Sequence, residues 1–145
     1  MDGQRPDDGF LYKEEVFRIR GAIFAVYRSM GAGFLEAVYQ ECLAIEFSRR
    51  ELEFEAQRAL RLSYEGQQLR QTYVADFICC GRIVVEIKAL RTIGPEHRAQ
   101  IINYLRATGM ELGLLVNFGA VPRVEIERFA LTLSAPSAFS AVSSS

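Results

Sequence analysis

Residues Ala75–Leu90, ADFICCGRIVVEIKAL, set Asp76, Glu86 and Lys88 into two apolar runs on either side of Gly81. Ile, Val, Phe and Cys suit a pleated, half-buried surface, and a glycine between two such runs reads as a hairpin turn. The charges are out of place there, because a buried charge is costly unless it is paired, protonated or bound. Glu86 and Lys88 are two apart and share one strand face, while Ile83, Val85 and Ile87 share the other. The facing of Asp76 depends on the turn. A two-residue loop at Cys80–Gly81 sets Asp76 opposite Val85, whereas a three-residue loop or a bulge near Gly81 sets it opposite Glu86. We expect the second, because two carboxylates and an ammonium converging on one spot have a chemical use that scattered charges lack.

Working outward, GPEHRAQIINYLRATG reads as a helix with Pro95 in its first turn and Gly109 just past its end. ELGLLVNF is an apolar run of the kind buried on both sheet faces, and VEIERFAL closes the pattern as a last strand. Upstream, EFEAQRALRLSY and LRQTYVADFIC alternate about a turn at EGQQ, residues 65–68. Further back, Val16, Ile19, Ile23, Val26, Tyr27 and Met30 repeat at helical spacing, predicting a helix over 13–30 that GAG at 31–33 breaks. A second helix is expected over about 34–50, with Leu35, Val38, Tyr39, Cys42, Leu43 and Phe47 on its apolar side. Two helices, three strands, one helix and two strands predict a mixed α/β (α+β) domain with a central mixed sheet flanked by helices. The helix after Glu86 is long enough for a right-handed parallel crossover to the Leu114 strand.

The 145 residues, 50% of them hydrophobic, suit one domain with one core. A net charge of −1 weighs against a protein that coats nucleic acid non-specifically, although it leaves room for a local basic groove. No apolar run is long enough to span a membrane, and the acidic, polar start is unlike a signal peptide, so a cytoplasmic location is expected. Residues 1–9 and the Ser/Ala-rich 134–145 read as unstructured, leaving a working domain over 10–133. Cys42, Cys79 and Cys80 have no metal-ligand spacing and read as reduced thiols, and the lone His97 cannot complete a zinc site with them.

Side-by-side carboxylates repel, and a divalent cation keeps both ionised. Oxygen ligands with open positions suit Mg2+ or Mn2+, which retain waters and accept a phosphate oxygen. Such a cation acidifies a bound water and neutralises a scissile phosphate, and Lys88 beside it can steady the transition state. By spacing alone, a Glu-x-Lys pair on a strand face more often forms a cross-strand salt bridge. Glu36 by itself reads as a good helix-start residue on a solvated face.

Residues 33–39, GFLEAVY, form a GxxExxY signature, followed in order by YVADF, VVEIKAL, HRAQIINYLRATG, GLLVNFG and IERF. From about Val16 to Phe129 the chain resembles the GxxExxY protein family, a branch of the PD-(D/E)XK nuclease superfamily. The resemblance implies a restriction-endonuclease-like core with the active site at the central hairpin. It places the motif aspartate on Asp76 and the Glu-x-Lys element on Glu86 and Lys88. It also implies Glu36 as a further metal ligand, direct or through water, and Gln100 and Tyr104 as a Q-x-x-x-Y pair similar to that of RecB-like and phage exonucleases. Four residues apart, Gln100 and Tyr104 share a helix face; without the resemblance they read as a polar rim residue and a core aromatic. Where the family usually carries a His before the glycine turn, this chain has Tyr27.

The implied activity is metal-dependent hydrolysis of phosphodiester bonds in DNA, with Arg91, Arg98 and Arg106, and also Arg58 and Arg61, as candidates for phosphate contact. Two other readings stay open: a catalytically silent nucleic-acid-binding module on the same fold, since fold does not imply activity, and an interaction protein of toxin–antitoxin type with a protein partner. The sequence leaves homo-oligomerisation open.

Overall fold

The computed structural model describes residues 11–131; the stretches expected to be unstructured, 1–9 and 134–145, lie outside that range. The elements follow the expected order: α1 Lys13–Met30, α2 Glu36–Arg49, β1 Phe54–Tyr64, β2 Gln67–Cys79, β3 Ile83–Lys88, α3 Pro95–Thr108, β4 Leu112–Asn117 and β5 Glu125–Ala130. In α1, Ile19, Ala22, Ile23 and Val26 turn inward together, as residues three and four apart must on one helix face. Helix α2 begins two residues later than its periodicity suggests. Leu35 is extended (φ −75°, ψ 159°) and caps the helix instead of joining it. Lying outside the helix, it misses the buried face and is 79% exposed.

The sheet order is β1-β2-β3-β4-β5, antiparallel except for the β3–β4 pair. Helix α3 makes the expected crossover between those parallel strands. Each sheet face has its own core. On one face α1 and α2 pack Ile23, Leu43 and Phe47 against Phe77, Val85 and Leu114. On the other, Ile101 and Leu105 of α3 pack against Ile78, Val84 and Leu115. Strand β4 alternates between the two and is buried along its whole length. At about 1.5–3 kcal/mol per fully buried large aliphatic or aromatic side chain, these layers supply most of the driving force for folding.

The turn after β2 decides the register of the hairpin. Cys79 pairs with Ile83 across a three-residue loop, followed by Ile78 with Val84 and Phe77 with Val85. The next step along both strands sets Asp76 opposite Glu86, as expected. At Asp76, however, β2 departs from strict alternation. Phe77 and Cys79 pack on the α1/α2 side, but Tyr73 and Ala75 pack on the α3 side. The break lies opposite Gln57 of β1, whose φ is +55°, and the β1–β2 ladder passes from Ala56–Phe77 to Arg58–Ala75 without pairing these two.

The chain just past β3 is held by the end of β4. Asn117, a fully buried polar residue, accepts the Leu90 N–H (2.8 Å) and donates to the Leu90 carbonyl (2.9 Å). At Gly119 a Cβ atom would come within 2.3 Å of the Leu90 carbonyl oxygen, so only glycine permits this approach. Together they pin the segment that follows Lys88.

Candidate active site

On β3, Val84, Glu86 and Lys88 face α3 and Ile83, Val85 and Ile87 face the opposite core. Asp76 Oδ2 accepts the Ile87 N–H at 2.8 Å, so a side chain continues the hairpin where the paired residues end. That contact puts the Asp76 carboxyl beside the β3 backbone next to Glu86, and its charge acts on the Glu86 carboxyl. Burial, then the negative charge of Asp76, pushes the Glu86 carboxyl up to about 8, against a smaller pull downward from Tyr73 and Lys88. Without a cation the Glu86 carboxyl therefore keeps its proton at neutral pH.

A narrow cleft opens over Glu86 between β3 and α3, lined by Tyr73, Glu86, Lys88, His97, Gln100 and Tyr104. The four-residue spacing of Gln100 and Tyr104 puts both on the α3 face that looks at Glu86 and Lys88. Tyr73 donates its hydroxyl to Glu86 Oε2 and stacks its ring on Tyr104, with centroids 3.8 Å apart and planes 7° from parallel. Burial, followed by the Glu86 charge, raises the Tyr73 hydroxyl well above the ordinary tyrosine range, so it stays a donor. His97 Nδ1 accepts the Gly94 N–H (3.0 Å) at the start of α3. That bond assigns the proton of the neutral imidazole to Nε2, leaving it a donor.

Tyr73 and His97 were not among the site residues expected from sequence. Strict alternation along β2 puts Tyr73 on the α1/α2 face with Phe77 and Cys79, and only the break at Asp76 turns it to the α3 face with Glu86. A histidine three residues after a glycine cap, in a helix that starts with proline, was the only local signal for His97.

Glu36 opens α2 and is exposed. Tyr39, further along α2, stacks on Phe118 (centroids 4.4 Å apart), and Phe118 donates its N–H to the Lys88 carbonyl at 2.8 Å. The start of α2 thus lies at the Lys88 end of β3. Glu36 does not join Asp76 and Glu86: among the described residues no group of three or more His, Cys, Asp or Glu side chains is arranged to hold a metal. Of the arginines, Arg98 is bidentate to Glu127 of β5 (2.7 and 2.9 Å), Arg106 donates to Asn103 Oδ1 (2.7 Å), Arg58 pairs with Glu55 (3.0 Å), and Arg61 and Arg91 are exposed. Tyr27, where relatives of the resembled family carry His, donates its hydroxyl to the Ala120 carbonyl at 2.6 Å and so ties α1 to the loop after β4. The thiols are free, with Cys79 buried and its pKa raised chiefly by that burial, which fits an inert core residue.

The donor set fits a hard divalent cation. Asp76 and Glu86 come from neighbouring strands as hard oxygen donors, and a cation can take the place of the proton on Glu86, with waters or a phosphate completing an oxygen shell. Among the described residues no helix is long and apolar enough to cross a membrane.

A comparison with curated proteins finds no match. The solved structures include the crystal structure of SSO0001, which is 19% identical and superposes with a TM-score of 0.50 over 92% of this chain. This chain spans 64% of the length of that one, and the likeness shows the fold alone. Among protein families, residues 13–129 match the PD-(D/E)XK nuclease superfamily. With that match running from the first turn of α1 to the end of β5, and the Asp76–Glu86–Lys88 cluster on the central hairpin, the chain belongs to the PD-(D/E)XK nuclease superfamily.

Proposed function

We propose that this chain is a metal-dependent nuclease that hydrolyses phosphodiester bonds in DNA. The observation that carries the reading is Asp76 held on the Ile87 N–H next to Glu86, with Glu86 and Lys88 in one cleft together with Gln100 and Tyr104. Asp76 and Glu86 would hold Mg2+ or Mn2+, which when bound supplies an acidified water and neutralises charge on the scissile phosphate. Lys88 shares the strand face of Glu86, and its ammonium stabilises the negative charge that builds on the phosphate oxygens. The Gln100 amide and the Tyr104 hydroxyl are donors suited to orienting the phosphate or an attacking water. Glu36, toward the Lys88 end of β3, would reach the cation through water. Arg91 extends the positive surface past Lys88 for the strand beyond the scissile bond, Arg106 is a further candidate for phosphate contact, and Arg98 ties α3 to β5 through Glu127. DNA is favoured over RNA by the Q-x-x-x-Y pair, which resembles that of DNA exonucleases.

One observation favours a second reading, a catalytically silent nucleic-acid-binding module: the described residues bring together two carboxylates and no third metal ligand. Incubation with single-stranded DNA, double-stranded DNA and RNA, in Mg2+, Mn2+ or EDTA, separates the two. The nuclease reading predicts DNA cleavage that EDTA abolishes. Binding that survives EDTA, with no cleavage in either metal, supports the silent module and sinks the nuclease.

A further inference from the structure

We propose that Tyr73 is a positioning residue for the metal-binding carboxylate, holding one oxygen of Glu86 so that the other is presented to the cation. This rests on the reading of Asp76 and Glu86 as the cation site. Tyr73 is a β2 residue only 7% exposed, and a buried tyrosine hydroxyl needs a partner. Tyr27 and Tyr39 donate theirs to backbone carbonyls, and Tyr12 donates to Glu111, away from the cleft. Tyr73 instead donates to Glu86 Oε2, the carboxylate that the hairpin register sets against Asp76.

Two contacts make this bond directional. The Tyr73 ring lies flat on Tyr104 of α3, at 3.8 Å and 7°, which fixes where the hydroxyl points. The break in β2 alternation at Asp76 puts Tyr73 on the α3 face with Glu86, where a regular strand would turn it to the α1/α2 face with Phe77 and Cys79. The irregularity thus supplies Glu86 with a neutral donor on one oxygen while Asp76 approaches it from the neighbouring strand. Carboxylates that bind metals are commonly oriented by such outer partners, whose removal weakens metal affinity roughly 10–100-fold. A packing role alone predicts no such loss, because phenylalanine keeps the ring and the stack.

The test is Mn2+ binding by titration calorimetry to the wild-type chain, Tyr73→Phe and Glu86→Ala. Tyr73→Phe should weaken Mn2+ binding roughly 10–100-fold, with the circular dichroism and the metal-free melting curve little changed, and Glu86→Ala should abolish binding. Equal or tighter Mn2+ binding by Tyr73→Phe overturns the positioning role and leaves the cation site standing. A wild-type chain that binds no Mn2+ overturns both. If Tyr73→Phe does not fold, a Mn2+-soaked crystal of the wild type decides. The Tyr73 hydroxyl should stay on Glu86 with the ion bound, and a hydroxyl that has moved away overturns the proposal.

Discussion

The two faces of β3 put alternate residues of one six-residue strand to opposite uses. On the α1/α2 side Ile83, Val85 and Ile87 are sealed among aliphatic and aromatic side chains. On the α3 side Val84 is just as buried, but Glu86 and Lys88 stand in a cleft with a second carboxyl beside them. The same backbone thus carries a dry core and a charged notch, and the dry face holds the notch in shape. Placing the charged pair on a central strand with a full core behind it gives a fixed geometry that a surface loop would not provide.

Breaking the dry face should cost the most stability. Phe77 is fully buried, with edge-on ring contacts to Phe47 (5.2 Å) and Phe54 (5.7 Å). Phe77→Ala should destabilise the fold by about 3–5 kcal/mol, read by urea denaturation, and activity should fall only as the folded fraction falls.

The notch should respond to pH in the opposite sense to an ordinary salt-bridged carboxylate. In the folded chain Glu86 keeps its proton up to about pH 8, whereas the unfolded chain releases it near 4.5. Between these values the folded state binds more protons, so this group makes stability fall as pH rises, by at most about 1.4 kcal/mol per unit. Its contribution levels off above about pH 8. Denaturation in EDTA across this range should show the slope, and Glu86→Gln should flatten it. An unchanged slope in Glu86→Gln would place the titrating group elsewhere.

Smaller again is the effect expected at the rim. Glu36 is exposed and stands apart from the carboxyl pair. Glu36→Gln should therefore lower cleavage about tenfold, the order expected of an outer partner of a metal site, and far less than loss of Glu86. Equal losses at both positions would mean that Glu36 binds the cation directly.

Much of this arrangement was legible in the sequence. Helical and alternating periods gave the element order, Pro95 and Gly109 bounded α3, and continuous apolarity marked β4 as buried on both faces. The hairpin turn read as either a two- or a three-residue loop, and the longer one was expected only because it lets the charges converge; Cys80, Gly81 and Arg82 form it. The rest depends on events that leave no period. Leu35 belonged to the apolar pattern of α2 yet precedes the helix. The break at Asp76 lies opposite a positive φ at Gln57, a residue with no special preference for it, and that break is what turns Tyr73 toward the site. Arg98 showed a free charge in sequence, and only the β5–α3 contact reveals that Glu127 holds it. Local chemistry was readable wherever the chain is regular, and it was lost where one strand bends against another.

The most direct test compares cleavage of labelled DNA by the wild-type chain and Lys88→Ala in Mg2+ and in Mn2+, with melting curves on both. Lys88 lies on the notch side of β3 and outside both hydrophobic cores, so its loss should leave the fold intact. The account predicts metal-dependent cleavage by the wild type and a loss of about 10²–10⁴-fold in the variant, with little change in melting temperature. Equal cleavage by the two proteins, or none by either in both metals, would contradict it.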